Sequence, residues 1–134
     1  MTTVACDASV LIPALVAWHP DHAVAREAMA RVTAVPAHAL VEAFSVLTRL
    51  PAPHRLSAPD AGRVLDHVRL DVDALPATQY RRLLRRLAER DIRGGAAYYA
   101  LIAATATHHR RTLITLDRRA GATYDAVGAG YTML

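Results

Sequence analysis

The sequence predicts an α/β protein, a three-layer α/β/α sandwich with a central parallel sheet of about five strands. Short apolar segments alternate with longer amphipathic segments along the chain, a pattern typical of strands that alternate with helices. Strands that are connected through helices pair in parallel, and the helices then cover both faces of the sheet. No repeat, linker or low-complexity tract divides the chain, so we expect a single domain over residues 1–134.

The first half of the chain predicts two strands and three helices. "TVACD" alternates in hydropathy and predicts a strand that ends at Asp7. "ASVLIPALVAW" and "PDHAVAREAMARV" predict helices, and "TAVP" predicts a short second strand. The third helix is "AHALVEAFSVLTRL", which Pro51 ends because proline cannot donate the next helical hydrogen bond.

The second half continues the alternation. Residues 57–70 predict a helix, "DVDALP" a strand, and "ATQYRRLLRRLAERD" a further helix. The segment "GGAAYYALIAATA" predicts a helix that reaches about His109, and "TLITLD" predicts a strand that ends at Asp117. The last residues, "GAGYTML", are compatible with an edge strand.

Composition favours a cytoplasmic protein with a small-residue core. Hydrophobic residues make up 53% of the chain but aromatic residues only 5%, so alanine, valine and leucine must fill the core. The one cysteine, Cys6, has no partner for an internal disulfide and is expected to be a buried thiol in a reducing compartment. The N-terminal apolar run lacks a basic leader and is too short to span a bilayer. We therefore expect no membrane segment.

The basic side chains are compatible with a nucleic-acid partner. All 16 of them are arginine, against 12 acidic residues, which gives a net charge of +4. Arginine holds phosphate oxygens through two hydrogen bonds, although composition alone does not decide between RNA contact and a solvated surface. The arginines that flank the "TLITLD" strand rank highest for phosphate contact: Arg110 and Arg111 before it, and Arg118 and Arg119 after it.

Two aspartates are expected at one edge of the sheet. Asp7 and Asp117 each end a predicted strand, and ligands of parallel sheets gather at the carboxyl ends of the strands. Carboxylates that converge raise one another's pKa unless a cation compensates, which favours a metal. The alternative is that each aspartate caps the helix that follows, "ASVL" or "RRAG".

A glutamate on the third helix is the third candidate acid. The helical wheel groups four polar residues on one stripe: His38, Glu42, Ser45 and Arg49. The stripe lies opposite the apolar face of the helix, so it is compatible with a solvated surface on which Glu42 contacts Arg49. The wheel does not say whether the stripe faces the edge where the aspartates lie.

Four segments in this order resemble the PIN-domain ribonucleases, in particular the VapC toxins of VapBC toxin–antitoxin modules. They are "DASVL", the glutamate in "LVEAFSVLTRL", a glycine followed by "YYALIAATA", and "TLITLD", and the resemblance covers essentially the whole chain. It implies an α/β/α sandwich, a homodimer, an acidic pocket that binds Mg2+ or Mn2+, and endonucleolytic cleavage of RNA. It also implies a VapB-type antitoxin that blocks the pocket and binds operator DNA, so that DNA is contacted only through the antitoxin.

Position by position, the resemblance makes Asp7, Glu42 and Asp117 catalytic, metal-binding acids. The family's remaining acid follows a tyrosine at the start of a helix. Here Tyr98 takes the tyrosine place and Tyr99 takes the aspartate place. A phenol is neutral at pH 7 and is a poor ligand for Mg2+, which prefers hard, charged oxygens. We therefore expect weakened metal binding and little or no cleavage.

Several interpretations remain open on the sequence. Tyr99 is either a natural change in a protein that binds antitoxin or RNA without cutting, or the mark of an inactivated copy. Ser9 and Ser45 are candidates for hydrogen bonds to the acids or the scissile phosphate, although Ser9 is as well explained by helix capping. A phosphatase with an aspartyl nucleophile is a third class, but "DAS" lacks the second aspartate that such enzymes use.

Overall fold

A single five-stranded parallel sheet forms the centre of the computed structural model, which describes residues 2–134. Its strands are β1 (Thr3–Cys6), β2 (Ala34–Pro36), β3 (Asp71–Asp73), β4 (Arg111–Thr115) and β5 (Tyr131–Met133). Their order across the sheet is β3, β2, β1, β4, β5, and every neighbouring pair is parallel. Cys6 lies opposite Ile114, so β1 and β4 end side by side at the centre of the sheet. The predicted fold class is confirmed.

Seven helices flank the sheet in the described part of the chain. They are α1 (Ala8–Leu15), α2 (His22–Met29), α3 (Ala37–Arg49), α4 (Ala58–Asp66), α5 (Tyr80–Glu89), α6 (Ala96–His108) and α7 (Arg118–Ala126). Among residues 2–134, none of these helices has the length and apolar character needed to cross a membrane.

Several predicted helix boundaries were wrong. The first two helices end three residues early, at Leu15 and Met29. The helix predicted over residues 57–70 ends at Asp66, because the N–H groups of His67 and Val68 bond carbonyls only three residues back. That tighter last turn leads the chain into β3. The helix "ATQYRRLLRRLAERD" begins only at Tyr80, after a short 3-10 turn over Ala77–Gln79.

Small aliphatic residues build the core, as the composition predicts. Ala100, Ala103 and Ala106 are buried on α6, so this helix lies close to its neighbours. Cys6 is fully buried at the end of β1, and burial raises the pKa of its thiol to about 12. The prediction of a buried thiol is confirmed.

A buried ion pair joins β3 to β4. The Arg111 guanidinium donates from Nε to Asp73 Oδ2 at 2.8 Å and from Nη2 to Asp73 Oδ1 at 3.1 Å. Its third nitrogen, Nη1, donates to the Thr3 hydroxyl at 2.7 Å. The side chains of Arg111 and Asp73 are only 15% and 7% exposed. The two residues are 38 positions apart, and nothing in the sequence indicates that they pair.

Asp73→Asn is expected to lower the free energy of unfolding by about 2 kcal/mol, because it leaves the buried Arg111 charge with only the exposed Asp71, 3.9 Å away, as a counter-charge. Urea unfolding of both proteins measures the difference. Asp91→Asn is the matched control, since the Asp91 to Arg93 ion pair is exposed on both sides and is expected to change stability little. Equal effects of the two substitutions would show that the buried pair has no special role.

Candidate functional site

Asp7 lies between the end of β1 and the start of α1. Its Oδ1 accepts the Ser9 backbone N–H at 3.0 Å and the Ser9 hydroxyl at 2.5 Å, so it caps the helix. Its Oδ2 accepts the hydroxyl of Tyr124 at 2.8 Å. The residue is only 4% exposed. Burial raises the pKa of the carboxyl group, although the hydrogen bonds from Ser9, Thr115 and Tyr124 oppose that rise.

Asp117 occupies the equivalent place between β4 and α7. Its Oδ1 accepts the Arg119 backbone N–H at 2.9 Å, which caps α7. Its Oδ2 accepts the hydroxyl of Tyr99 at 2.9 Å. The strands end at Cys6 and Thr115, slightly before the predicted ends, because both aspartates belong to helix caps. The capping alternative is therefore correct for both residues, and the shared edge is correct as well.

Two hydroxyl groups connect the ends of β1 and β4. The Ser9 Oγ accepts the Leu116 N–H at 2.8 Å and lies 3.1 Å from the Thr115 Oγ1. The Thr115 Oγ1 in turn accepts the Asp117 N–H at 3.1 Å. Ser9 thus ties Asp7 to the loop that carries Asp117, whereas the cap of α1, a role considered for Ser9, is Asp7 itself.

Glu42 faces the same region from α3. Burial raises the pKa of its carboxyl group, the charges of Asp7 and Asp117 raise it further, and Arg49 lowers it. The side of α3 that carries Glu42 therefore faces the edge where the aspartates lie, near enough for their charges to act on it. For Glu42 the structure thus answers the question that the helical wheel leaves open.

A pocket of about 460 Å³ opens beside these acids. Its lining residues are His38, Glu42, Arg49, Gly95, Ala96, Tyr98, Tyr99, Arg119 and Thr123. Tyr99 is therefore part of the pocket wall. Burial raises the pKa of the Tyr99 phenol first, and its hydrogen bond to Asp117 raises it further. The phenol therefore keeps its proton and donates a hydrogen bond to the Asp117 carboxylate.

Comparison with known proteins identifies the family. The PIN domain model matches residues 4–126. The chain belongs to the PIN-domain family. Ribonuclease VapC40 of Mycobacterium tuberculosis is 44% identical to this PIN domain over 124 residues, which are 91% of this chain and 92% of the relative. The chain is therefore a PIN domain of the VapC type.

Solved structures confirm the fold of this PIN domain. The crystal structure of Mycobacterium tuberculosis VapC20, described as a Sarcin-Ricin loop cleaving toxin, has a TM-score of 0.71 at 18% identity and covers 90% of this chain and 94% of that one. The crystal structure of VapBC2 from Rickettsia felis, bound to a DNA fragment from its own promoter, has a TM-score of 0.68 at 17% identity. It covers 99% of both chains.

The acids of this PIN domain are the right chemical type for Mg2+ but do not form a three-ligand site. Carboxylate oxygens are the hard ligands that Mg2+ prefers. Within residues 2–134, however, no three His, Cys, Asp or Glu side chains are grouped so that they could hold a metal ion. Hydroxyl groups of Tyr99 and Tyr124 bond one oxygen of Asp117 and one of Asp7. As it stands, the pocket does not fit the cation that the resemblance implies.

The remaining candidate residues lie at different distances from the acids. Arg119 lines the pocket, and its Nε is 4.0 Å from Asp117 Oδ1 on a side chain that is 90% exposed. Arg118 is exposed on the first turn of α7. Ser45 is exposed on α3 and is not among the lining residues, since three residues along a helix turn it by about 60° from Glu42. The hydrogen-bonding role expected of Ser45 therefore has no support in this geometry.

Sequence analysis missed Tyr124, which is fully buried and bonds Asp7 across 117 positions. Burial and the Asp7 charge raise the pKa of its phenol, so it remains a hydrogen-bond donor to the carboxylate. Tyr124 lies seven residues after Asp117, which is two turns of helix and hence the same face of α7. That spacing is the signal that could have pointed to it.

Proposed function

We propose that this PIN domain is the toxin of a type II toxin–antitoxin system, an endoribonuclease that depends on Mg2+ or Mn2+ and is weakened by Tyr99. Its similarity to Ribonuclease VapC40 supports the activity. The observation that carries the proposal is the hydrogen bond of 2.9 Å from Tyr99 to Asp117, at the place where the resemblance puts a metal-binding aspartate. In this proposal the whole chain, residues 1–134, is one domain.

The chemistry of the proposed reaction is hydrolysis of an RNA phosphodiester. Asp7, Glu42, Asp117 and an aspartate in place of Tyr99 would hold a divalent cation, which supplies an activated water and charge for the phosphate oxygens. The protein's own hydrogen bonds fix the orientation of two of these acids, since Ser9 holds Asp7 and the Arg119 N–H holds Asp117.

The arginines after Asp117 complete the proposed site. Arg119 is exposed at the pocket and Arg118 is exposed beside it on α7, where their guanidinium groups are free to meet phosphates of the RNA. No nucleophilic side chain would be required, because water would form the new bond to phosphorus while the bond to the ribose 3′ oxygen breaks.

The proposed partners are a cognate VapB-type antitoxin and an RNA substrate. The antitoxin proposal is supported by the similar fold of VapBC2, which was solved with a fragment of promoter DNA. In the proposal this chain meets operator DNA only through the antitoxin, forms a homodimer and acts in the cytoplasm.

A second candidate function is a PIN-fold module that binds antitoxin or RNA without cutting. It is favoured by the missing three-ligand group in the described residues and by the Tyr99 contact that takes one Asp117 oxygen. The two functions predict different results for Tyr99→Asp: it should restore cleavage in a weakened ribonuclease and should not produce cleavage in a binding module.

Induced expression in a bacterial host without antitoxin tests the toxin proposal. Cells that make this chain are expected to grow, and cells that make Tyr99→Asp are expected to stop growing. The double variant Tyr99→Asp, Asp117→Asn should restore growth, because it removes one proposed ligand while the soluble protein still accumulates. Normal growth with soluble Tyr99→Asp would contradict the toxin proposal, and arrest by the unaltered chain would show that Tyr99 does not weaken it.

A further inference from the structure

Tyr98 presents an aromatic ring at the mouth of the pocket. Its ring stacks on the ring of His38 with the centroids 5.1 Å apart and the planes 6° from parallel. Tyr98 lies in the first turn of α6 and is 57% exposed, while His38 is half-buried behind it. Because more than half of Tyr98 is exposed, part of its ring is open to solvent beside the stacked contact.

The surroundings of this pair are those of a nucleic-acid site. Tyr98 and His38 line the same pocket as Glu42 and as Tyr99, whose hydroxyl bonds Asp117, so the exposed ring lies near these two acids. Arg49 and Arg119 line that pocket too and are exposed. Arginine binds phosphate, whereas a flat aromatic face binds any base through stacking. Burial lowers the pKa of His38, which keeps its ring neutral at pH 7 and suited to stacking.

We propose that the stacked pair of Tyr98 and His38 is a platform for one unpaired nucleobase of single-stranded RNA, next to the cleaved phosphate. The inference rests on the proposed function, which makes RNA the substrate. Bases in a duplex are already stacked on their neighbours, so only an unpaired or splayed base reaches such a platform. Tyr98 then selects the structure of the RNA, and arginines of the pocket hold its backbone.

Binding measured without metal and without cleavage tests the platform. The fluorescence anisotropy of a labelled single-stranded RNA oligonucleotide is followed in EDTA, and Tyr98→Ala is expected to weaken its binding about tenfold. Tyr98→Phe should bind within about twofold of the unaltered chain, because the ring is kept. Tyr80→Ala is the matched control, since Tyr80 is an exposed tyrosine on α5 outside the pocket.

An abasic oligonucleotide of the same length separates stacking from a general structural effect. The unaltered chain and Tyr98→Ala are expected to bind abasic RNA equally, and likewise duplex RNA. Three results with RNA would overturn the platform. One is that the two proteins bind base-bearing RNA equally, and another is that Tyr98→Ala weakens the binding of abasic RNA as much as that of base-bearing RNA. The third is that the unaltered chain shows no measurable binding of single-stranded RNA. A Tyr98→Ala variant that loses only its affinity for a protein partner would overturn it as well.

The platform and the proposed ribonuclease function fail in different measurements. If Tyr98→Ala binds RNA normally while Tyr99→Asp stops growth and cuts RNA, the platform is wrong and the ribonuclease proposal stands. If RNA binding depends on the base but Tyr99→Asp neither stops growth nor cleaves RNA, the platform proposal holds and the protein is an RNA-binding module without ribonuclease activity.

Discussion

Asp7→Asn, introduced into the Tyr99→Asp variant, is expected to lower RNA cleavage about 10³-fold, or about 4 kcal/mol in the transition state. Asp7 is the most buried of the three acids, and its charge acts on Glu42. The amide keeps the shape of the side chain and one carbonyl oxygen for Ser9, but it removes the charge. A cleavage assay on labelled RNA in millimolar Mg2+ measures the loss.

Stability measurements distinguish this loss from unfolding. The folded state raises the pKa of Asp7 above the ordinary value of an aspartate, near 4, because the carboxyl group is buried. The folded protein therefore holds that proton more tightly than the unfolded chain. The contribution of Asp7 to stability falls as pH rises above about 4 through the folded pKa. In EDTA at pH 7, Asp7→Asn should unfold at a urea concentration equal to or higher than its parent.

Asp125→Asn is the matched control in the same background. Asp125 also accepts a tyrosine hydroxyl, from Tyr131 at 2.8 Å, but it is exposed and lies outside the pocket. Its replacement is expected to leave cleavage within about twofold, as for a surface substitution. If Asp7→Asn cleaves as fast as Asp125→Asn, Asp7 is not a catalytic residue.

Tyr99→Asp by itself is expected to increase cleavage about 100-fold in Mg2+, equivalent to about 2.7 kcal/mol of transition-state stabilisation. Two changes cause the gain. The Asp117 Oδ2 loses the phenol that donates to it, and a fourth carboxylate joins the pocket. A titration with Mn2+ should show tighter binding by the variant, because carboxylates are ligands for this ion and a neutral phenol is not.

Two further substitutions at position 99 separate these causes. Tyr99→Phe removes the hydrogen bond to Asp117 without adding a ligand, and Tyr99→Asn makes room in the pocket without adding a charge. Neither should approach the cleavage rate of Tyr99→Asp. If Tyr99→Asn is as active as Tyr99→Asp, the ring merely blocks the pocket and the carboxylate is not needed. If Tyr99→Asp gains neither metal affinity nor cleavage, the metal-dependent ribonuclease proposal is wrong.

The positions of Asp7 and Asp117 could be predicted because they follow local rules. An apolar strand followed by an aspartate and then a helix places the carboxylate at the carboxyl end of the strand, whatever the rest of the chain does. The sheet order then brings β1 and β4 together, so both aspartates lie at adjacent strand ends. The capping and site interpretations looked like alternatives in the sequence, yet one carboxylate has two oxygens and fulfils both geometries.

The surroundings of Ser45 and Tyr124 could not be predicted from local sequence patterns. Both lie on helices whose periodicity is clear, but periodicity defines the faces of a helix and not what each face meets. Ser45 shares the broad polar stripe of α3 with Glu42 and still lies outside the pocket. In the sequence Tyr124 is indistinguishable from other core residues, and only the packing of α7 brings its hydroxyl to Asp7.

The sequence by itself determined the alternation of strands and helices, the two strand-end aspartates and the tyrosine at position 99. These follow from hydropathy periods and residue order, which act over a few residues. Only the tertiary structure decided that Glu42 faces the aspartates, that Tyr99 donates to Asp117, and that Tyr98 stacks on His38. Such contacts join residues far apart in the chain, and they depend on how the helices rotate and dock to bury their apolar faces.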